Sequence, residues 1–307
     1  IINSGFKRTQ GRFSLSQQIK KNLKANINAT YTKSTTTGSI ISDPTGGIPS
    51  LSTIYSALGY RPVSGIADVD LLEEQFDPAV ISETPTDYRV NPIISLKNEI
   101  NERSLSNVII NGTLDFKIIN NLELKIRGGY IGNNFGTKTF YNSKTQIGSP
   151  FYPTTKGTTG GIYNRKIDNW LNENTLTYNT KINKSRINAM VGFTIQENTN
   201  FYSGYTASYI EDENLGLDGL DLSTSIVPES ITKKWSLASF LARINYDYSD
   251  KYLFTFSFRA DGSSKFRKNN VWGYFPSGAF AWKMKQEDFM KNISVVSDAK
   301  LRLSYGT

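Results

Sequence analysis

The sequence contains neither cysteine nor histidine among its 307 residues. It therefore offers no disulfide, no thiol nucleophile, no thiolate zinc site and no Ser-His-Asp triad. It also lacks a long hydrophobic run, and a membrane-spanning helix needs about 20 consecutive apolar residues. Function classes that depend on thiol or imidazole chemistry are excluded, as is a helical route across a membrane.

What the sequence does contain is a strict alternation of apolar and polar residues on both sides of the turn at 249–251. The even positions of 240–248 and 252–260 are apolar or aromatic, whereas odd positions carry Arg, Asp and Asn. Successive side chains of a strand point to opposite faces, so each of these strands has one apolar and one polar face. Phenylalanines flanked by tyrosines are typical of a lipid-facing strand, because amphipathic rings settle at the headgroup level.

The average composition does not contradict a barrel. Hydrophobic residues make up 38% of the chain and the mean hydropathy is −0.39. Such values suit a barrel because half of every strand faces water in the lumen. Ile1-Ile2-Asn3 leads into polar residues and lacks the layout of a secretory signal. Since an outer-membrane protein must be exported, we expect the chain to be a mature protein or an internal piece of one.

Aromatic residues are abundant, with 17 Tyr and 17 Phe. Those at the ends of the apolar strand faces are predicted to form membrane-interface girdles, which we prefer to the alternative that they stack on sugar rings. The predicted girdle residues are Tyr246, Tyr248, Tyr252, Trp272, Tyr274 and Trp282.

The same alternation recurs along the chain. Hairpins are predicted around the polar turns at 20–22, 119–121 and 183–185, and further strands at 274–283 and 301–305. About ten strands joined alternately by tight turns and long segments predict an all-β fold, a transmembrane antiparallel up-and-down β-barrel. The whole chain, 1–307, is interpreted as one section of a barrel domain. Long extracellular loops are predicted at about 33–103, 143–165 and 203–233, with a short helix at 51–58.

Charged residues on the polar faces are predicted to face the lumen, since a charge facing lipid costs about 2–4 kcal/mol at the bilayer midplane. They either line the substrate path or contact a plug, or they only solvate the wall and pair across strands. The candidates are Glu123, Lys125, Arg127, Arg243, Asp247, Arg259, Asp261, Lys283 and Arg302.

Aromatic residues of the predicted loops are candidates for ligand contact, with loop packing as the alternative. They are Tyr55, Tyr60, Tyr88, Phe151, Tyr152 and Tyr163. The acidic run Glu211-Asp212-Glu213 lacks the spacing of a calcium-binding loop, so no metal site is predicted and a solvated loop is favoured. Residues 261–266 lack the spacing of a phosphate-binding loop. No catalytic constellation and no cofactor site stand out.

The segment RADGSSKFRKNNVWGYFPSGAFAW at 259–282 resembles a signature of SusC/RagA-type TonB-dependent outer-membrane transporters. So do NWLNENTLTY at 169–178, the stretch Phe240–Tyr252, QEDFMKN at 286–292 and DAKLRLSYG at 298–306, in the family's order. The resemblance covers roughly the last 140 residues. It implies a section of a 22-stranded barrel in the outer membrane of a Bacteroidetes-like Gram-negative bacterium. No plug and no TonB box is recognisable in the sequence.

The resemblance implies import of a bulky nutrient, an oligosaccharide (glycan) or a peptide, with a SusD-like surface lipoprotein, outer-membrane lipid and TonB as partners. TonB would act through a region outside this chain. A structural barrel that docks another envelope complex, a passive pore and a soluble carbohydrate-binding module are the alternatives. The formal charge of +8 is spread along the chain, which argues against nucleic acid as a partner. We expect transport and not catalysis.

Overall fold

The computed structural model describes residues 3–39, 57–60, 90–150, 157–267, 270–291 and 293–307, without the side chain of Lys291. Within these ranges the chain forms ten strands and a few short helices. The strands are β1 (Gly5–Lys20), β2 (Leu23–Thr37), β3 (Glu99–Ile119), β4 (Leu122–Tyr141), β5 (Thr159–Ile182), β6 (Ser185–Ile210), β7 (Ser223–Tyr248), β8 (Tyr252–Ser263), β9 (Trp272–Lys283) and β10 (Lys300–Gly306).

All ten strands belong to one sheet in which each strand pairs, antiparallel, with its neighbour in sequence. The order runs from β1 to β10 without a crossover, and β1 and β10 form the two edges. This is the up-and-down arrangement that the alternation predicts, and the all-β fold class is confirmed.

Two kinds of connection alternate along the sheet. At one end of the strands, here named the short-turn end, turns of two or three residues follow β1, β3, β5 and β7. The connection after β9 at the same end is longer. It contains a 3₁₀ turn (Met284–Gln286) and one helical turn, α2 (Asp288–Lys291). The opposite end of the strands is named the long-loop end. There α1 (Pro92–Asn98) precedes β3, and a 3₁₀ segment (Glu213–Leu222) precedes β7.

The turn after β7 shows why such short connections suit the sheet. Ser249 and Asp250 have φ values of 58° and 60°, and the Lys251 N–H donates to the Tyr248 carbonyl at 3.1 Å. Two central residues with positive φ define a type I′ turn, whose twist matches that of the flanking strands. Asp250 also pairs with Arg186 of β6, which ties this turn to the neighbouring hairpin.

The sheet has two faces that differ in chemistry. The outer face carries Phe254, Phe256 and Phe258 of β8, and the inner face carries Thr255, Ser257 and Arg259. A single-layered sheet buries little against itself, so few apolar residues are enclosed and many large ones are exposed. The main enclosed cluster consists of Phe140, Ala207, Ile210 and Leu220 and lies at the long-loop end.

The predicted loop boundaries need correction, because the strands run further than the alternation does. Residues 33–37 and 99–103 belong to β2 and β3, and residues 159–165 belong to β5. Most of 203–233 is strand, since β6 continues to Ile210 and β7 begins at Ser223. Beyond the apolar band polar residues occur on both faces, so the regular alternation is lost while the backbone pairing continues.

The helix predicted at 51–58 lies mostly outside the described residues, although residues 57–59 are helical. No helix in the described part of the chain is long and apolar enough to span a membrane.

Candidate functional site

The outer face carries an apolar band that reaches all ten strands near the short-turn end. On β5 the band is interrupted by Asn172 and Asn174, and Asn174 donates a hydrogen bond of 2.6 Å to Asn172. The register places Phe256 opposite Ile244 on one side and Gly278 on the other. Val191 of β6 and Phe256 expose 55% and 59% of their surface. An exposed apolar patch of this extent marks a surface that contacts lipid or another protein.

The height of the band fits a bilayer. On β2 the outward apolar residues run from Leu23 to Tyr31, and on β8 they run from Tyr252 to Ala260. About nine residues at about 3.4 Å per residue, in strands tilted by about 40°, span roughly 20–25 Å. Apolar bands of outer-membrane barrels are about 25 Å tall.

The predicted girdle residues all lie on the outer face, and all but Tyr246 lie at the two borders of this band. At the short-turn end the rings of Tyr248, Tyr252 and Trp282 stack in a row, with centroids 6.5 Å and 6.4 Å apart. At the other border Trp272 stacks on Phe240 at 6.0 Å, and Tyr274 stacks on Phe258 at 6.2 Å. Tyr246 stacks on Phe254 at 6.2 Å inside the band. Their contact with lipid headgroups stays a prediction.

The earlier strands carry further border aromatics that the sequence analysis did not identify. Tyr31, Tyr130 and Trp170 lie on the outer face at the border toward the long loops. The Tyr130 hydroxyl donates a hydrogen bond of 2.5 Å to Asp168, the first carboxylate above the band on β5. They alternate in step with the outward-facing apolar residues of their strands and lie at the end of an apolar run, and these two signals could have identified them.

The nine charged candidates all lie on the inner face. The register places Arg127 opposite Glu173, and it places Asp247 opposite Arg186. Lys283 lies opposite Lys300, two residues along the strand from Arg302. The shared face follows from the alternation, whereas their role in a substrate path stays a prediction.

About half of these candidates pair with neighbours on the same face. The cross-strand ion pairs join Lys125 to Asp115 at 3.2 Å, Arg127 to Glu173 at 3.5 Å and Arg186 to Asp247 at 2.7 Å. Within β8, Arg259 Nε lies 2.7 Å from an Asp261 carboxylate oxygen. These side chains are substantially exposed, so each pair stabilises the sheet by about 1 kcal/mol at most.

A chain of amide hydrogen bonds crosses four strands on the inner face. Asn188 donates to Asn179 at 2.6 Å, Asn245 donates to Asn188 at 3.0 Å, and Thr255 donates to Asn245 at 2.9 Å. These residues line an open groove of about 790 Å³ near the short-turn end, together with Arg186. The amide chain thus gives this groove one polar wall, whereas Ile187, Leu253 and Phe254 also line it.

Among the predicted loop aromatics, Tyr163 has a different position from the one expected. It lies in β5 and not in a loop, on the inner face above the apolar band. Its ring stacks on Tyr202 with centroids 6.2 Å apart and planes at 17°, and its hydroxyl lies 2.6 Å from Thr206 Oγ1. Added side-chain carbons at Gly161 and Gly204 would collide with Tyr163. The two glycines thus leave the space that the flat ring occupies.

Tyr60 lies within the described residues, next to the short helical stretch 57–59, and Tyr55, Tyr88, Phe151 and Tyr152 lie outside them. The predicted ligand contacts of these five aromatics stay predictions.

The acidic run before β7 has a structural role for one of its members. Glu213 accepts hydrogen bonds from the Ser143 N–H at 2.8 Å, the Ser143 hydroxyl at 2.9 Å and Thr158 at 3.2 Å. Burial alone would raise the pKa of Glu213, but these donors outweigh it and hold the pKa below its ordinary value. Glu213 thus fastens the 3₁₀ segment, with buried Leu220, to the ends of β4 and β5. No group of three metal-ligating side chains occurs in the described ranges.

Like Glu213, a second carboxylate accepts several hydrogen bonds, and it lies at the short-turn end. The sequence alone does not indicate its role. Glu287 accepts hydrogen bonds from Lys251 Nζ at 2.6 Å, the Tyr252 hydroxyl at 2.7 Å and Trp282 Nε1 at 3.1 Å. The donated hydrogen bonds, that of Lys251 foremost, lower the pKa of Glu287 to about 2. The hydrogen bond with Glu287 in turn raises the pKa of Lys251. Glu287 belongs to the QEDFMKN segment, which therefore joins the turn after β9 to two girdle aromatics.

Known proteins resemble this chain over different parts of its length. TonB-dependent receptor P3 of Formosa agariphila is 31% identical over 100% of this chain and 30% of the receptor. TonB-dependent receptor SusC of Bacteroides thetaiotaomicron is 54% identical over 71 residues, which are 23% of this chain and 7% of the receptor. TonB-dependent receptor P26 of F. agariphila is 39% identical over 45% of this chain and 14% of the receptor. No protein-family model matches.

Among solved structures, that of the RagAB peptide transporter aligns with a TM-score of 0.76 and 21% identity, over 99% of this chain and 33% of the other chain. At this identity the likeness shows the fold. The chain spans about 30% of the length of receptor P3.

Its long antiparallel strands have an apolar outer band and a polar inner face. The chain therefore forms part of the wall of an outer-membrane β-barrel. Together with the similarities above, the chain belongs to the SusC/RagA-type TonB-dependent receptors.

Proposed function

We propose that this section of wall belongs to a receptor that imports a bulky nutrient, an oligosaccharide or a peptide, through a plugged barrel energised by TonB. The similarity of the whole chain to TonB-dependent receptor P3 carries the proposal. The relatives are receptors and transporters, so we infer that the nutrient is imported and not hydrolysed.

The chemistry of the inner face supports this proposal. Ion pairs such as Arg127–Glu173 and the amide chain through Asn188 and Asn245 give a hydrated surface with paired charges. A polar wall of this kind lets a hydrophilic nutrient pass without binding it tightly at any one point. The unpaired Arg243, Lys283 and Arg302 are available to contact a plug or a passing anionic group, since no ion pair engages them in the described ranges.

Tyr163 and Tyr202 are the inner-face residues that best suit contact with the nutrient. Their stacked rings lie toward the long-loop end, between the bilayer and the outside, and both remain partly exposed. Arg165 lies beside them, opposite Tyr202, and donates to Asn200 at 3.0 Å. Aromatic faces with a few placed polar groups are typical of small-molecule sites.

We further propose a SusD-like surface lipoprotein that covers the long-loop end, and TonB as the partner that acts through a part of the receptor outside this chain. The similarity to SusC and to the RagAB structure supports these partners. Outer-membrane lipid surrounds the apolar band.

The test is uptake by the full-length receptor in its own cells. The gene is deleted, restored in full, and compared on defined oligosaccharides and peptides as sole nutrients, with TonB intact or disrupted. We expect growth on one nutrient class to depend on both the receptor and TonB. Uptake that persists without TonB would indicate a passive pore, and unimpaired growth without the receptor would indicate a structural role.

A further inference from the structure

We infer that the segment 284–291 after β9, here named the foot, lies against the bilayer at the short-turn end, with Phe289 in contact with phospholipid. This contact surface is separate from the strands and independent of what the receptor transports. It extends the apolar band beyond the last residue of β9.

The position of the foot follows from Glu287. Its carboxylate accepts from Tyr252 and Trp282, and both of these girdle residues point to the outer face. The foot is therefore folded toward the outer face and away from the lumen. With 14% of its side chain exposed, Glu287 is largely covered by these partners and Lys251.

Phe289 then comes to lie beside the girdle. Its ring packs on Trp282 with centroids 6.3 Å apart and planes at 59°, yet 63% of its surface remains exposed. Trp282 in turn stacks on Tyr252. The exposed ring thus continues a surface that already faces lipid, which identifies lipid as its partner and not a soluble protein.

Several polar groups of the foot have partners within it or beside it, which favours a position near the bilayer. Lys285 Nζ donates to the carbonyls of Met290 at 3.1 Å and Ile293 at 2.6 Å. Backbone bonds from Glu287 to Met284 at 2.9 Å and from Met290 to Glu287 at 3.0 Å close its turns. Two lysines and two acidic residues balance its formal charge. These contacts lower the cost of placing Phe289 at the headgroup boundary.

The experiment measures the depth of position 289 in lipid. These 307 residues contain no cysteine, so Phe289→Cys in the full-length receptor gives a unique site for a nitroxide once any cysteine elsewhere is replaced. In phospholipid vesicles we expect the label to collide more with oxygen than with a water-soluble nickel chelate, as at Phe256→Cys on the outer face. Lys184→Cys, in the exposed turn after β5, serves as the aqueous reference.

A label at 289 that is as accessible to the chelate as the label at 184 would overturn the inference. Folding of each variant is checked by its compact migration on unheated gels. A second measurement avoids loss of the ring: a photoreactive benzoylphenylalanine at 289 should crosslink to phospholipid. Crosslinks to protein alone, in a folded receptor, would also contradict lipid contact.

Discussion

Asn245 donates a 3.0 Å hydrogen bond to Asn188, and this bond joins β7 to β6 in the middle of a chain of side chains that spans four strands. A soluble sheet is held by apolar packing on at least one face, whereas this sheet has lipid on one side and water on the other. Its side chains therefore stabilise it mainly across the sheet, between neighbouring strands.

We predict that Asn188→Ala destabilises the receptor by about 1–2 kcal/mol, because Asn188 takes part in two hydrogen bonds and each contributes about 1 kcal/mol. The measurement is the urea midpoint of the full-length receptor in lipid vesicles. Asn198→Ala is the matched control, since Asn198 lies on the same face of β6 without a side-chain hydrogen bond in the described ranges. Equal midpoints for both variants would contradict a structural role for the amide chain.

The second prediction compares two neighbours on β8. Phe256→Arg places a charge in the apolar band and should cost about 2–4 kcal/mol, whereas Ser257→Arg places it on the hydrated inner face and should cost far less. Urea midpoints and the yield of folded barrel both report the difference. If the two substitutions were equally harmful, the assignment of the faces would be wrong.

Much of the sheet could be predicted from the sequence because alternation reports contact with lipid. Where a strand crosses the bilayer, as at Phe254–Phe256–Phe258, the period of two is strict. The sequence does not reveal the strand ends at Ile210 and Ser223, because apolar and polar residues no longer alternate there although the backbone pairing continues. The prediction that Tyr163 lies in a loop is wrong for the same reason.

Side-chain partners were harder to predict than faces. Glu287 is separated by 36 residues from Lys251, and the two meet only because β8 and β9 pair in register. Glu213 likewise finds Ser143 across 70 residues of sequence. A single sequence shows which face a residue occupies, but not which turn folds back on it.

The third prediction concerns the type I′ turn after β7. Ser249 has a φ of 58°, a region that costs residues with a Cβ roughly 1–2 kcal/mol and that β-branched residues disfavour most. Because serine already bears part of this cost, we expect Ser249→Val to destabilise the receptor by up to about 1 kcal/mol and Ser249→Gly to stabilise it slightly. Ser304→Val, in extended backbone on β10, controls for the added methyl groups. Thermal unfolding, followed by gel mobility, measures all three, and an unaffected Ser249→Val variant would refute the turn assignment.

The fourth prediction tests the stacked tyrosines in transport. Tyr202→Ala should raise the nutrient concentration for half-maximal uptake about 5–30-fold, as expected when about 1–2 kcal/mol of binding is lost. Phe201→Ala is the control, because Phe201 is the adjacent residue on the outer face. The amount of folded receptor in the membrane is measured for both. An unchanged uptake curve for Tyr202→Ala would remove this pair from the substrate path while leaving import itself untouched.

The last prediction is a pH dependence that arises from Glu287. Its pKa is about 2 in the folded receptor against an ordinary 4.5, so the folded state favours the charged form. The resulting stabilisation is fully present above pH about 4.5 and declines as the pH falls toward 2, because the unfolded chain takes up the proton first. Glu287→Gln should lower the stability of the receptor at pH 7 and flatten its decline between pH 4.5 and 2. Chemical unfolding across this range, compared with Glu211→Gln in the exposed segment before β7, isolates the contribution of Glu287. Parallel curves for the native receptor and Glu287→Gln would show that the three donors do not stabilise its charge.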